Sequence, residues 1–360
     1  MEPIAVAMSG GVDSSVAAWL LQQEGYRPAG VTMRLFSPQQ LSPACRESCN
    51  ALKDLDDAQK VAQKLGIPHH AVDLSGPFCR EVMDPFVRAY EQGRTPNPCV
   101  LCNRAIKFGA LLDWAVDHGY PLLATGHYAR IEQDSTGRYL LKKADDPGKD
   151  QSYVLWSLTQ EQLSHVRFPL AALSKQEIRA IALEQGLVSA RKRDSQDICF
   201  VPDGDYAAFI RTHAGRDYPH GSFRNAAGEV LGEHQGIIHY TLGQRRGLGV
   251  SSNQGRLYVT QIHPEDNTVI LGQNQDLFHR GLTVDHLNLI PMDRLDRPLR
   301  VMAKARYRME PQPAMLEQTG PGEARLTFEQ PQRAVTPGQS AVFYWEDQVL
   351  GGGIIQSTQE

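Results

Sequence analysis

The run Ile4-Ala5-Val6-Ala7-Met8-Ser9-Gly10-Gly11-Val12-Asp13-Ser14 decides the fold: an apolar segment breaks into a serine and two glycines, then passes into the apolar stretch Val16-Ala17-Ala18-Trp19-Leu20-Leu21. It reads as strand, tight loop and helix. Two glycines permit a sharp turn and close backbone approach, and the unpaired amides at the helix start face outward as anion donors. A plain glycine turn with Ser14 capping the helix would use the same residues, but the strand, loop, helix order favours a phosphate site. The loop lacks the Walker ending Gly-Lys-Ser/Thr, so no lysine reaches a transferred γ-phosphate and a departing pyrophosphate suits it better. The reaction class that follows is adenylation by ATP. Asp13 beside an anion is repulsive unless a cation intervenes, which points to a bound Mg²⁺.

Working outward, Ala29-Gly30-Val31-Thr32-Met33 reads as a second strand, 54–65 as a helix ending at Gly66, and His69-His70-Ala71-Val72-Asp73 as a third strand. A helix over 111–118 and the buried strand Leu122-Leu123-Ala124-Thr125 follow. This rhythm predicts an α/β fold with an open parallel sheet to about residue 200, covered on both faces. Ligands bind beyond the carboxyl ends of such strands, where Ser9, Met33 and Gly126 would lie. After about Asp203 glycine and proline become frequent, and 236–240, 256–260 and 268–271 read as short strands. From about Gly281 the alternating segments 299–308, 324–328 and 340–345 predict a small β-barrel. The expected domains are a catalytic nucleotide-binding domain over 1–203, a small mainly β central domain over 204–280 and the barrel over 281–360.

A chain of 360 residues is long for one core. With 41% apolar and 22% charged residues, and no run of eighteen apolar residues, it reads as a soluble protein with no membrane partner. The start Met1-Glu2-Pro3 shows no basic leader or cleavage site, so a cytoplasmic protein is expected. A net charge of −4 excludes a surface coated in positive charge, so any nucleic-acid contact must come from local patches.

Of the six cysteines, Cys99 and Cys102 form a Cys-x-x-Cys preceded by Thr95-Pro96-Asn97-Pro98 and followed by a helix. A helix start, with Arg104 and Lys107 close in sequence, would lower the Cys102 thiol from its usual range of about 8.5 and favour the nucleophilic thiolate. Cys199 closes the basic run Arg191-Lys192-Arg193-Asp194-Ser195-Gln196-Asp197-Ile198. Half a zinc site is a competing reading, weakened because no second pair follows at zinc spacing. An iron–sulfur cluster on three cysteines with one open iron also stays open, though it is not favoured. Cys45, Cys49 and Cys79 read as incidental.

Eight segments carry a resemblance: Ser9 to Ser14; Thr95-Pro96-Asn97-Pro98 before Cys102-Asn103; Lys107-Phe108; Ala124-Thr125-Gly126-His127-Tyr128; Lys149-Asp150-Gln151-Ser152-Tyr153; Ser195 to Phe200; His239 to Gly247; and Lys304-Ala305-Arg306-Tyr307-Arg308. Taken in order they resemble the bacterial tRNA-specific 2-thiouridylases, within the group that shares the Ser-Gly-Gly-x-Asp-Ser pyrophosphatase loop. The resemblance spans nearly the whole chain. It implies a tRNA-uridine 2-sulfurtransferase that adenylates the C2 oxygen of the wobble uridine, then replaces it with sulfur from a cysteine persulfide. It implies ATP contacts from Ala7, Met8, Ser9, Gly10, Gly11, Val12, Asp13, Ser14, Met33 and Gly126. Cys199 would carry the persulfide and Cys102 would be its catalytic partner, the two closing a transient disulfide. Asn97, Pro98 and Cys99 would meet the target base. Contacts to tRNA would come from His127, Lys149, Asp150, Gln151, Arg306, Tyr307 and Gln339, with the central domain also binding tRNA. A persulfide donor, either a cysteine desulfurase or a relay protein, is the implied partner. Some members have aspartate where Cys99 stands, as a proposed general base, so base assistance here must come from elsewhere or be unnecessary. The same change adds a third thiol. Other adenylating enzymes share the loop, but they leave Cys102 and Cys199 without work. A non-catalytic tRNA-binding protein would not need an intact loop.

Overall fold

Residues 1–36, 51–190, 192, 198–251 and 255–359 are described by the computed structural model. Cys45, Cys49 and the Ser195-Gln196-Asp197 motif lie outside them. The chain divides into two compact units, the first comprising Met1–Val82, Cys99–Gly204 and Asp347–Leu350, and the second Met83–Pro98, Asp205–Glu346 and Gly351–Glu360.

In the first unit, strand β1 (Pro3–Ala7) is followed by helix α1 (Val12–Gln23), β2 (Arg27–Arg34), helix α2 (Ala51–Leu65), β3 (His69–Asp73) and, later, β4 (Leu122–Thr125). Strands β5 (Ala129–Gln133), β6 (Tyr139–Lys143) and β7 (Val166–Arg167) come next. The parallel sheet runs in the order β3-β2-β1-β4-β7. Ile4, Ala5 and Val6 are wholly buried because both sheet faces are covered. Val16, Ala17 and Leu21 of α1 meet Ala58 and Val61 of α2 on one side, and Ile178 and Ala182 of helix α3 (Lys175–Glu184) complete that core. A capping box starts α3: Glu177 N–H donates to Ser174 Oγ at 3.3 Å, and Ser174 N–H donates to Glu177 Oε2 at 2.8 Å.

The open parallel sheet expected to about residue 200 is present, with β7 at Val166–Arg167 as its last strand in sequence, and the two strands between β4 and β7 stand apart from it. β5 and β6 form an antiparallel hairpin whose turn is organised by Asp134, which accepts from the amides of Thr136 and Arg138, so they cannot extend a parallel sheet. Instead, Lys142 and Leu141 pair with Gln348 and Val349, which belong to the same unit.

In the second unit, β8 (Gly221–Arg224), β9 (Val230–His234), β10 (Tyr258–His263) and β11 (Thr268–Gly272) form a sheet ordered β10-β11-β8-β9. Its core holds Phe223, Tyr240, Leu248, Val259 and Leu271. The segment 236–240 is not a strand: Ile237–His239 is a single 3-10 turn. Gly236 has a φ of +109° and its amide donates to His234 Nδ1 at 3.0 Å, so a turn buries the isoleucines. The barrel comprises β12 (Phe278–Leu289), β13 (Leu299–Lys304), β14 (Gln312–Gly320), β15 (Glu323–Arg333), β16 (Ser340–Trp345) and β17 (Gln348–Gln359), closed by antiparallel pairing of β12 with β17 from Gly281↔Gln359 to Leu289↔Gly351. Alternation along β15 turns Ala324, Leu326 and Phe328 inward. Strand β13 ends at Lys304, where a turn closed by Met309 N–H to the Arg306 carbonyl begins. Arg306 and Arg308 therefore do not share a strand face with Lys304. No helix of the described residues is long and apolar enough to cross a membrane.

Candidate active site

The sheet order places β1 next to β4 while β2 and β3 continue the other way, so the crevice between the ends of β1 and β4 is the topological switch point. The loop from Met8 to Gly11 leaves β1 there, and Gly126 leaves β4 there. Their contact is close: a Cβ on Gly126 would lie 2.8 Å from Ser14 N and 2.9 Å from the Asp13 carbonyl carbon. Gly10 has a φ of +71°, and a Cβ on it would lie 2.3 Å from the Asp54 carbonyl oxygen of α2. Gly11 precedes α1 without offering a side-chain cap. The first-turn amides of Val12, Asp13 and Ser14 have no intrahelical acceptor and remain available to an anion. Ser14 Oγ accepts from Ser9 N–H at 3.2 Å and donates to the Gly11 carbonyl at 3.2 Å, which closes the loop on itself. Met8 N–H donates to the Val31 carbonyl at 2.8 Å, and Thr32 Oγ1 donates to the Met8 carbonyl at 2.8 Å, fixing the loop to β2, where Met33 lies half-buried.

Two lysines brace the loop. Lys175, the first residue of α3, donates to both Asp13 carboxylate oxygens at 2.7 and 2.9 Å, and Tyr128 Oη donates to Asp13 Oδ1 at 2.7 Å. The cation beside Asp13 is thus a lysine, in the place where the sequence predicts Mg²⁺. Lys192 donates to the Gly10 carbonyl at 3.1 Å, to Asp54 at 2.6 Å and to Asp57 at 2.9 Å. Burial works against its charge, but the two aspartates outweigh it and hold Lys192 above its ordinary value. Sequence reasoning missed Lys175. The available signal was position: a lysine in a helix's first turn opposes the helix dipole unless an anion receives it.

The thiols lie beside a continuous helical stretch, Pro98–Leu101, Cys102–Ala110 and Leu111–Asp117, whose middle is π-wound. Gln162 Nε2 satisfies the carbonyls of Arg104 at 3.0 Å and Phe108 at 2.7 Å. The expected depression of the Cys102 thiol is corrected by this geometry. The helix starts at Pro98, so Cys102 sits in its second turn with the side chain buried, and burial pushes the thiol up to about 11 against the opposing charge of Lys107. Arg104 is exposed to solvent. Cys99 and Cys199 present surface to solvent, yet surrounding protein atoms desolvate both thiols and push them upward, as expected of groups set in a recess. Their exposure limits that effect. Cys199 feels the charges of Cys102, Cys99 and Lys107, so folding brings together the three sulfurs singled out from the sequence. Among the described residues, Cys102 and Cys199 are not joined in a disulfide. Among the described residues, Cys99, Cys102 and Cys199 do not form a group with all sulfurs within 4.8 Å, which is too wide for one metal ion.

His127 links the two halves. Its ring is buried against Phe108 and Phe168, its Nδ1 lies 2.7 Å from Thr125 Oγ1, and its Nε2 lies 3.4 Å from Lys107 Nζ. Desolvation, then the charge of Lys107, hold it well below the ordinary histidine range. A neutral ring that accepts from Lys107 at Nε2 must carry its proton on Nδ1 and donate to Thr125. One short segment, 125–128, therefore reaches the loop through Gly126 and Tyr128 and the thiols through His127 and Lys107.

The remaining sequence-predicted contacts fall in two groups. In the first unit, Asp150 accepts from the amides of Ala144 and Ser152 at 3.2 Å, and Gln151 Oε1 accepts from Tyr128 N–H at 3.0 Å, with Lys149 half-buried beside them in sequence. These bonds shape the segment that carries Tyr128. In the second unit, Gln339 Nε2 donates to the carbonyls of Thr95 at 2.9 Å and Pro96 at 3.2 Å, holding the chain that leads to Asn97 and Pro98. Arg306 and Tyr307 are exposed, and the Lys304 ammonium lies 5.7 Å from the Tyr307 ring centre.

Three family profiles match in succession: a tRNA methyl transferase HUP domain over residues 2–203, a tRNA methyl transferase PRC-barrel domain over 207–273 and an aminomethyltransferase β-barrel domain over 279–355. The chain is 49% identical over 355 residues to a protein named tRNA-specific 2-thiouridylase MnmA 2 from Thermoanaerobacter sp. (strain X514), covering 98% of this chain and 97% of that one. It is 45% identical over 356 residues to the tRNA-specific 2-thiouridylase MnmA of Clostridioides difficile (strain 630), covering 99% and 98%. It is 46% identical over 355 residues to the protein of that name from Acetivibrio thermocellus, covering 98% and 99%.

Proposed function

Because this chain belongs to the tRNA-specific 2-thiouridylase family, and is with it an enzyme that puts sulfur into tRNA, we propose that it adenylates the C2 oxygen of a wobble uridine with ATP and replaces that oxygen with sulfur held at Cys199. A carbonyl oxygen is a poor leaving group. Attaching AMP makes it departable, and the amides of Val12, Asp13 and Ser14 stabilise the pyrophosphate that leaves. Lys175 screens Asp13 from that anion and is placed to move onto it. The donor set does not fit a Mg²⁺ held by the protein, since among the described residues the Asp13 carboxylate is already engaged by Lys175 and Tyr128, and those of Asp54 and Asp57 by Lys192. Chemistry at C2 requires an extruded base, and Asn97, Pro98 and Cys99 are the proposed contacts. Exposed Arg306 and Tyr307 suit phosphate and base contacts to the tRNA, joined by Lys149. Asp150, Gln151 and Gln339 act by holding backbone in place, and His127 by holding Lys107.

A persulfide donor protein of the cytoplasm transfers its outer sulfur to the Cys199 thiolate. The Cys102 thiolate then attacks the inner Cys199 sulfur, closing a disulfide and expelling HS⁻. That sulfide adds to C2, AMP departs with the former C2 oxygen, and a thiol reductant reopens the disulfide. Lys107 is the cation that stabilises the anionic sulfur at each stage. The observation that carries this reading is the 125–128 segment, which joins a pyrophosphate loop to a group of thiols.

A second reading rests on Cys99, which adds a third thiol to Cys102 and Cys199, the number that would hold an iron–sulfur cluster with one open iron. Such a cluster would supply an open iron as the site of sulfur delivery, and the roles of the loop, Lys175 and Lys107 would be unchanged. The test is a reconstituted assay with tRNA, ATP and a persulfide donor. Cys199→Ser is expected to retain pyrophosphate release and lose 2-thiouridine formation, and full thiolation by the variant would refute a sulfur role for Cys199. Iron and acid-labile sulfide in anaerobically purified protein would select the second reading, and their absence the first.

A further inference from the structure

The segment Thr241-Leu242-Gly243-Gln244-Arg245-Arg246-Gly247-Leu248-Gly249-Val250 has no part in the chemistry above, yet it builds a concave site wholly within the second unit. Its frame is rigid. Gly243 N–H donates to the Val259 carbonyl at 2.8 Å, Val259 N–H donates to the Gln244 carbonyl at 3.0 Å, and Gln244 Oε1 accepts from Thr241 N–H at 3.1 Å. Leu248 is buried in the core beneath. Gly247, Gly249 and Gly255 adopt φ of +76°, +66° and +105°, so the chain turns tightly and exposes backbone. Together with Arg245 and Arg256 they line a cavity of about 320 Å³ that has no acidic side chain among the described residues of its wall. Arg246 is exposed on the same turn. Among the described residues, none of these three guanidiniums enters an ion pair, whereas Arg34, Arg130, Arg216, Arg294, Arg300 and Arg325 all do.

We propose that this glycine-framed arginine cavity binds backbone phosphates of the tRNA substrate, a grip separate from the reacting base. Unpaired guanidiniums around exposed backbone recognise phosphate charge and geometry. Among the described residues the wall holds no aromatic ring for stacking and no carboxylate for a ribose or base edge, which suits it to backbone rather than sequence. A chain of net charge −4 can hold a polyanion only through such a local concentration of positive charge. The inference rests on the tRNA substrate proposed above but not on the adenylation or sulfur steps.

The test measures tRNA affinity of the full chain over a series of KCl concentrations for Arg245→Ala, Arg246→Ala, Arg256→Ala and the triple variant, with Arg294→Ala as a charge-matched control. Each single change is expected to weaken tRNA binding several-fold, and the slope of log Kd against log salt should fall by about 0.7–0.9 per arginine removed. The kcat for thiolation at saturating tRNA should stay within about twofold, and Arg→Lys changes should recover most of the slope. A triple variant that is folded and binds tRNA with unchanged affinity and salt slope overturns the proposal. If the triple variant does not fold, the slopes of the single variants decide in the same way. Wild-type protein that binds tRNA without thiolating it would instead contradict the activity reading and leave this inference standing.

Discussion

Replacing Gly126 by alanine tests the geometry of the loop with one methyl group. The backbone at Gly126 lies outside the left-handed region, so the substitution brings no conformational strain, only contact. The new Cβ would lie 2.8 Å from Ser14 N and 2.9 Å from the Asp13 carbonyl carbon, against an ordinary contact distance of at least 3.4 Å, so loop and strand end must separate by about 0.6 Å. Both atoms are backbone, at the helix start that should hold pyrophosphate, and neither can rotate away. A misplacement of about 1 Å at a positioned group costs on the order of 100-fold in rate. A shift of about 0.6 Å is therefore expected to lower tRNA-dependent pyrophosphate release by roughly 10- to 100-fold, or about 1.4–2.8 kcal/mol in the barrier. ATP affinity should fall with it. Alkylation of the exposed Cys199 should proceed at the wild-type rate. Gly76→Ala is the control, since its Cβ would find nothing nearer than 3.5 Å. A folded Gly126→Ala enzyme with unchanged pyrophosphate release would refute the placement of the phosphate site at this crevice.

Lys175→Met removes the cation from Asp13 and should abolish most pyrophosphate release while Lys175→Arg recovers part of it; an active methionine variant would mean that the lysine only stabilises the fold. Lys107→Met should leave pyrophosphate release within about twofold and cut thiolation by at least about tenfold, because Lys107 serves the sulfurs and not the loop; equal losses in both half-reactions would remove that division. For pH, His69, His127, His234 and His239 all have values lowered by burial, so the unfolded chain takes up these protons first as the pH falls. Their contribution to stability is present above about 6.5 and declines below it, so the melting temperature should drop between pH 7 and pH 5; a flat profile would contradict it.

The loop was legible because glycine spacing, a preceding apolar run and a following helix each have one physical meaning, and 69–73, 122–125 and 340–345 occur as strands with those very bounds. Gly126 was legible for the same reason, as the first residue beyond a buried strand. Other features depend on partners far along the chain. Asp13 meets Lys175 across 162 residues, and although a lysine in a helix's first turn calls for an anion, nothing local names Asp13 as that anion. Cys102 was misjudged because helix polarity can be read from sequence while the depth of a side chain cannot, and depth decided the sign. Segment 236–240 looked like a strand because two isoleucines must be buried, but a left-handed glycine buried them in a turn. The run 304–308 failed by the reverse route, since alternating charges continue in sequence beyond the point where β13 loses its partner strand.

The central claim is that ATP activates the uridine oxygen itself. Thiolation of tRNA carrying ¹⁸O at C2 of the wobble uridine, followed by mass spectrometry of the released AMP, tests it most directly. One ¹⁸O per AMP is expected for every 2-thiouridine formed. Unlabelled AMP, with the isotope recovered in water, would contradict the account.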